Sequence, residues 1–436
     1  MNKTSSKNHA LYSITAKLSF DKKIGVTLLI AIVGYVLQYL FNIELSHAFS
    51  TENYGEIQAI LSISGFLALV LLLGNATASV KFIPQYYSTN NYKKLHGLEK
   101  YYLSHVLIPC LIILIVLLIL SFFTWNLTFD VTWKYLWITP LLALLTFFSK
   151  ILQSLNAPIA SLLSGRVFPK FLFLLSFEFF RFFFEINSIK TALCLYSLGL
   201  VFIIFYQIFK TTHLLDNKNF TSHDIETDKN WFSTGIQLLF AVLLIQNGIG
   251  IINFLLKLFG ENSTTSIAVL SVVYTLTVCM QISYIACSDL LDSSIAPNTQ
   301  EKNTLQSIIN KGNCITFSFG FTIFCIFVFF GKTLLGHFGE FYVSGYVPLL
   351  IVAGGNLIGL AAGLSPDLLE YTLNPKELLL LNLGGCIVII LAGSLLIYLY
   401  GLYGAAITLA LIQGGLTILY GIALRKRLNL KAFSIF

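Results

Sequence analysis

Charge is scarce in this chain: 11% of its 436 residues are Asp, Glu, Lys or Arg, 56% are hydrophobic, and the mean hydropathy is +0.80. One soluble core of this length cannot take up so much apolar surface, so the solvent is lipid. The alternation of a membrane β-barrel is missing as well, since Leu111 to Leu120 is apolar at every position and therefore on every face. The seven cysteines, at 110, 194, 279, 287, 314, 325 and 386, show no paired spacing, which excludes a disulfide framework and a cysteine metal site. No HExxH, CxxC or GxSxG pattern occurs, and the seven histidines are scattered. Gly331-Lys332-Thr333 has the tail of a phosphate-binding loop, but Ile326 stands where its first glycine is required. These absences argue against an enzyme, a resident metal and a bound cofactor.

What remains is a set of about twelve apolar segments: residues 24–46, 56–80, 102–124, 134–155, 168–186, 191–209, 233–256, 265–288, 311–331, 346–364, 378–400 and 405–424. Most approach the roughly 20 residues a helix needs to cross a bilayer. The first follows Lys3, Lys7, Lys17, Lys22 and Lys23 but is too long for a signal peptide and has no small-residue cleavage pattern, so it reads as a retained helix. The expected fold is all-α and polytopic, with both termini cytoplasmic. That orientation puts 22 of the 27 basic residues on the cytoplasmic side, among them Lys150, Arg166 and Lys170 between the fourth and fifth segments. Lys134, Lys190, Lys257 and Lys332 fall opposite, and Arg181 lies inside the membrane. The net charge of +7 is then a lipid-facing cytoplasmic surface and needs no nucleic acid. No outer loop is long enough to house a catalytic domain, the longest running from Gly331 to Gly345.

The chain also repeats itself. Gly25, Leu28, Leu29 and Ala31 reappear 210 residues later as Gly235, Leu238, Leu239 and Ala241. Glu52-Asn53 with Ala59-Ile60-Leu61-Ser62-Ile63 reappears 209 residues later as Glu261-Asn262 with Ala268-Val269-Leu270-Ser271-Val272. Two six-helix lobes, 1–209 and 231–436, are expected, joined by a polar cytoplasmic linker at 210–230. A pair of related lobes is the architecture of an alternating-access transporter, with its substrate site between the repeats.

Polar residues inside the segments are the candidate transport groups. The run Phe177-Glu178-Phe179-Phe180-Arg181-Phe182-Phe183-Phe184-Glu185 puts Glu178, Arg181 and Glu185 on one helix face, where they can neutralise one another. Arg181 is then either a binding group for an anionic substrate or half of an ion pair that snorkels to the outer interface. Gln38 and Asn42 share a face of the first segment, and Gln246, Gly250 and Asn253 share a face of the seventh. As repeat partners these stripes either face each other across a cavity, contacting sugar hydroxyls, or hydrogen-bond neighbouring helices. Glycine and proline pairs such as Gly354-Gly355 and Gly414-Gly415 supply close packing or hinges.

Phe49-Ser50-Thr51-Glu52-Asn53-Tyr54-Gly55 and Leu73-Gly74-Asn75-Ala76-Thr77-Ala78-Ser79-Val80-Lys81-Phe82-Ile83-Pro84 resemble the outer loop and second helix of bacterial polysaccharide flippases, lipid-linked oligosaccharide exporters of the multidrug/oligosaccharidyl-lipid/polysaccharide superfamily. Phe338-Gly339-Glu340-Phe341, Tyr346-Val347-Pro348-Leu349-Leu350, Gly401-Leu402-Tyr403-Gly404-Ala405-Ala406 and the closing Arg425-Lys426-Arg427-Leu428 carry the likeness across nearly the whole chain. The resemblance implies a V-shaped fold of two six-helix bundles in the bacterial inner membrane. They would flip an undecaprenyl-pyrophosphate-linked sugar unit for O-antigen, capsule or exopolysaccharide synthesis, beside membrane lipids and polysaccharide polymerase machinery. It also implies a cytoplasmic-entrance role for Lys81, and at Asn253 the chain departs from relatives that carry an acid there. Coupling to the membrane potential, to protons or to sodium is open. The alternatives are a cation-coupled multidrug exporter of the same superfamily, for which the helices hold few acids, and a polysaccharide polymerase or ligase, for which the outer loops are short.

Overall fold

The computed structural model describes residues 20–89, 91–123, 131–155, 157–183, 188–216, 226–228, 230–284, 287, 302–372, 375–428 and 430. They are almost entirely helical, and no strand occurs among them. The first expected lobe holds α1 (Phe20–Ala48), α2 (Thr51–Leu72), α3 (Asn75–Ser88), α4 (Tyr92–Tyr102), α5 (Ile108–Phe123), α6 (Val131–Lys134), α7 (Ile138–Ser154), α8 (Pro158–Leu162), α9 (Phe168–Phe183) and α10 (Ile189–Asp216). The second runs α11 (Asn230–Phe259), α12 (Ser263–Thr277), α13 (Lys302–Gly336), α14 (Tyr346–Ala361), α15 (Ser365–Thr372), α16 (Pro375–Ala410) and α17 (Leu416–Leu428). Several of these are pieces of one span: π turns at Leu103–Leu107, Leu163–Val167 and Leu411–Gly415 join α4 to α5, α8 to α9 and α16 to α17 without a loop.

Nine helical stretches among the described residues are long and apolar enough to cross a membrane. The last, Glu377–Arg427, is 51 residues long and turns back at Gly401, whose φ of 52° and ψ of −122° no helical residue adopts. Its two arms are the eleventh and twelfth segments. The second expected segment is likewise broken, by consecutive left-handed residues at Leu73 (φ 48°) and Gly74 (φ 73°). The seventh kinks at Asn247 (φ −139°, ψ 33°). The fifth departs most from expectation: its helix starts at Pro158 rather than near 168, because Pro158 fits the first helical turn and the π turn carries the helix through the polar Ser164-Gly165-Arg166. Arg166 and Lys170 therefore lie on a continuous helix, in a stretch long and apolar enough to cross a membrane, and not in a loop between helices.

Within the first lobe α7 is central, packed by α2, α3, α5 and α10; in the second, α16 packs α11 and α14, and α14 packs α13. The outward face of α5 shows what lipid contact permits, with Ile112, Ile115, Ile119 and Phe122 all at least half exposed. The lobes meet where α2 lies against α11 and α12, α3 against α11, and α1 against α12. At one crossing a methyl group on Gly55 would run into the Thr264 carbonyl, so only glycine lets these backbones touch. Gly55 and Thr264 are 209 residues apart, the offset of the sequence repeat.

Candidate functional site

The first helix of each repeat reaches across to the second helix of the other. Asn42 of α1 donates to Thr275 Oγ1 of α12 at 2.9 Å, and Asn253 of α11 donates to Ser62 Oγ of α2 at 2.8 Å. Asn42 is buried and fully used: its amide also donates to the Gln38 carbonyl, and its oxygen accepts from Tyr54 and Gln58. Below this staple the space between the lobes takes on positive charge. Gly34 lies within the candidate span Val26–Ala48, and a Cβ built on it would lie 3.6 Å from that of Arg166. Arg166, on the π turn, is exposed, and Lys170, four residues on, is half-buried. Lys170 has no hydrogen-bond or ion-pair partner among the described residues. An ionised side chain at the centre of a bilayer costs about 2.5–3.5 kcal/mol, which makes these two cations candidates for a functional role.

On the side of the membrane that the basic residues mark as outer, the lobes are shut. Lys257 of α11 meets Glu56 of α2 at 2.6 Å, and Thr132 donates to the other carboxylate oxygen at 2.7 Å. The two charged side chains are 5% and 13% exposed. Across the axis, Tyr39 stacks edge-on against Phe338 and Tyr54 against Tyr342, and His47 Nε2 lies 3.0 Å from the His337 carbonyl. At the inner end, contacts gather on one seam. Trp231 donates to the Tyr86 hydroxyl at 2.8 Å, Lys94 lies 3.5 Å from Asp228, and Gly74 abuts Gly235.

Residues 20–289 match the model of a family described as polysaccharide biosynthesis protein. The chain belongs to that family. No curated protein matches the sequence. Among solved structures, it is similar to an inward-facing multidrug resistance MATE family transporter of the MOP superfamily (12% identity, 91% of this chain and 94% of that one, TM-score 0.69). It is similar also to a MATE in the bent conformation (15%, 94% and 95%, 0.64) and to an outward-facing MATE family transporter of the MOP superfamily (13%, 93% and 95%, 0.64). The fold is thus that of these MATE family transporters, and with its long apolar helices the chain is a multi-pass membrane protein.

In this polysaccharide biosynthesis family member the residues singled out from sequence fall in three places. Gln38 and Asn42 line the interlobe region, and Asn253 is wholly buried in the α2–α11 contact with its oxygen unpartnered. Gln246 immediately precedes the Asn247 kink, but its side chain lies outside the described residues. The two polar stripes do not face one another; each meets the second helix of the opposite lobe instead. Lys81 is exposed on α3 with Gln85, one turn on. Arg181 lies two residues from the end of α9, half exposed, 3.3 Å from Glu44 of α1 and 3.6 Å from Glu178. Glu185 lies outside the described residues. Sequence reading missed Glu44 as a partner for Arg181, and it missed Arg166 and Lys170 as interior charges. Exposed ion pairs contribute about 0.2–1 kcal/mol, so Arg181→Ala is expected to leave export within about threefold of wild type and to lower the melting temperature only slightly. Complementation of a deletion strain with matched protein abundance checks this, and a tenfold loss would put Arg181 on the transport path.

Proposed function

We propose that this protein flips a lipid-linked oligosaccharide, joined to its polyprenyl tail through pyrophosphate, from the inner to the outer leaflet by alternating access. The observation that carries the reading is the Arg166–Lys170 pair on the apolar stretch Pro158–Phe183, with Arg166 against α1. Two adjacent cations suit a pyrophosphate, whose oxygens accept hydrogen bonds from both guanidinium and ammonium. The neutral amide of Gln38, one turn from the Gly34 that meets Arg166, suits a sugar. An anionic cargo leaving an inside-negative cell gains about 2.3 kcal/mol per charge per 100 mV, so the membrane potential can drive export without ATP or a cofactor. The bacterial inner membrane is the compartment in which such a cargo is made.

Export of organic cations is the other reading that likeness to MATE transporters favours. Arg166 and Lys170 would repel such a cargo. Purified protein in liposomes, given a fluorescent polyprenyl-pyrophosphate oligosaccharide or an organic cation, separates the two. Protein-dependent movement of the glycolipid, accelerated by an inside-negative potential, is expected; movement of the cation alone would replace this reading with the multidrug one.

A further inference from the structure

Two polar groups in the interlobe space are left uncommitted beside the cations. The Gln38 side chain is half-exposed and has no partner among the described residues. The Tyr274 hydroxyl has none either. They belong to helices that meet: the Asn42 amide donates both to the Gln38 backbone carbonyl (3.0 Å) and to Thr275 Oγ1 (2.9 Å), and Tyr274 precedes Thr275 in α12. Gly34, one turn back from Gln38 on the same face, abuts Arg166: a Cβ built on it would lie 3.6 Å from the Arg166 Cβ. Residue 38 thus lies one helical turn from the position that meets Arg166, and one turn from the Asn42 that joins α1 to α12.

We infer that Gln38 and Tyr274 form a subsite for the sugar directly attached to the pyrophosphate. The inference rests on the proposed glycolipid cargo and adds which part of it is read. With pyrophosphate on Arg166 and Lys170, the next unit along the chain must lie within one sugar of them, where these side chains stand. A primary amide offers both donor and acceptor to ring hydroxyls or an acetamido group. A tyrosine offers a hydroxyl and an apolar face against which the C–H side of a pyranose packs. Asn42, already making four hydrogen bonds, sets the spacing between the two helices rather than binding sugar.

The position between lobes gives the subsite a second property. Gln38 and Tyr274 belong to helices that separate when the lobes rock, so a sugar bridging them is held with both contacts only while the helices are joined. The sugar is gripped in the conformation seen here and loses one contact when the helices part, a difference in affinity between states of the kind alternating access requires.

The test is flipping in liposomes of two probes: the polyprenyl-pyrophosphate oligosaccharide and polyprenyl pyrophosphate with no sugar. Gln38→Ala and Tyr274→Phe are expected to slow the glycolipid about tenfold, the loss of one or two neutral hydrogen bonds, and to leave the sugar-free probe unchanged. Arg166→Ala and Lys170→Ala should slow both probes. Equal slowing of both probes by the Gln38 and Tyr274 variants, or no slowing of either, overturns the subsite while leaving the glycolipid reading intact. If wild-type protein moves neither probe, the glycolipid reading itself is lost. Because Tyr274→Phe removes a single oxygen, it keeps the test informative even if Gln38→Ala disturbs packing.

Discussion

Lys170→Met is expected to lower glycolipid export by about 10- to 100-fold while leaving the protein as stable as wild type or more so. The two effects have opposite signs because they arise from one fact, that this ammonium sits in the membrane interior with no partner among the described residues. In the empty protein the charge is a desolvation cost of about 2.5–3.5 kcal/mol, offset by whatever water reaches it, and methionine relieves that cost with similar volume. In the loaded protein the charge is hydrogen-bonded to phosphate, an interaction worth about 1.5–3 kcal/mol, which corresponds to the stated loss in rate or affinity. Arg166→Met should cost a similar factor, and the double variant should approach the empty-vector level. Lys170→Arg, which keeps the charge, should retain most export. The measurements are export in a deletion strain at matched abundance and the melting temperature in detergent. Normal export by Lys170→Met would remove the anion site, whereas an unstable Lys170→Met protein would mean that the lysine is a structural partner.

The long helices were legible in the sequence because lipid forces long apolar stretches. Asn247 and Leu73-Gly74 were not legible as kinks: a left-handed leucine is set by how α3 must turn to reach α11, which is tertiary. Arg166 and Lys170 were placed outside the membrane because Pro158, Ser161, Ser164 and Gly165 look like loop residues. Yet Pro158 is an ordinary first-turn proline, and helix continuation through a π turn leaves no mark in hydropathy. Helical spacing did place Asn42 and Asn253 on buried polar faces, but spacing says nothing of what a face meets. Glu56 and Lys257 escaped notice for the same reason, since each lies at the end of an apolar segment and their pairing spans 201 residues.

That pair carries the other large effect. Lys257→Met leaves Glu56 in a site where its side chain is 13% exposed, with Thr132 as its remaining described partner. Breaking one side of a buried pair costs about 3–5 kcal/mol in the conformation that buries it. The protein can escape the cost by parting the lobes on the outer side, where Glu56 of α2 and Lys257 of α11 separate and the carboxylate reaches water. The same figure read as a population shift favours the outward-open state by a factor of about a hundred to a few thousand. Lys257→Met should therefore raise labelling, by a membrane-impermeant reagent added outside, of a cysteine introduced at Tyr54, and should slow export because the return step is opposed. Glu56→Gln with Lys257→Met removes both charges and should bring labelling and export back toward wild type, which loss of packing alone would not do. Conversely, Glu56→Cys with Lys257→Cys, in a background where the seven native cysteines are replaced, should form a disulfide that halts export until reductant is added. If the crosslinked protein exports at the wild-type rate, the outer ends of α2 and α11 do not part during transport and the outer closure lies elsewhere.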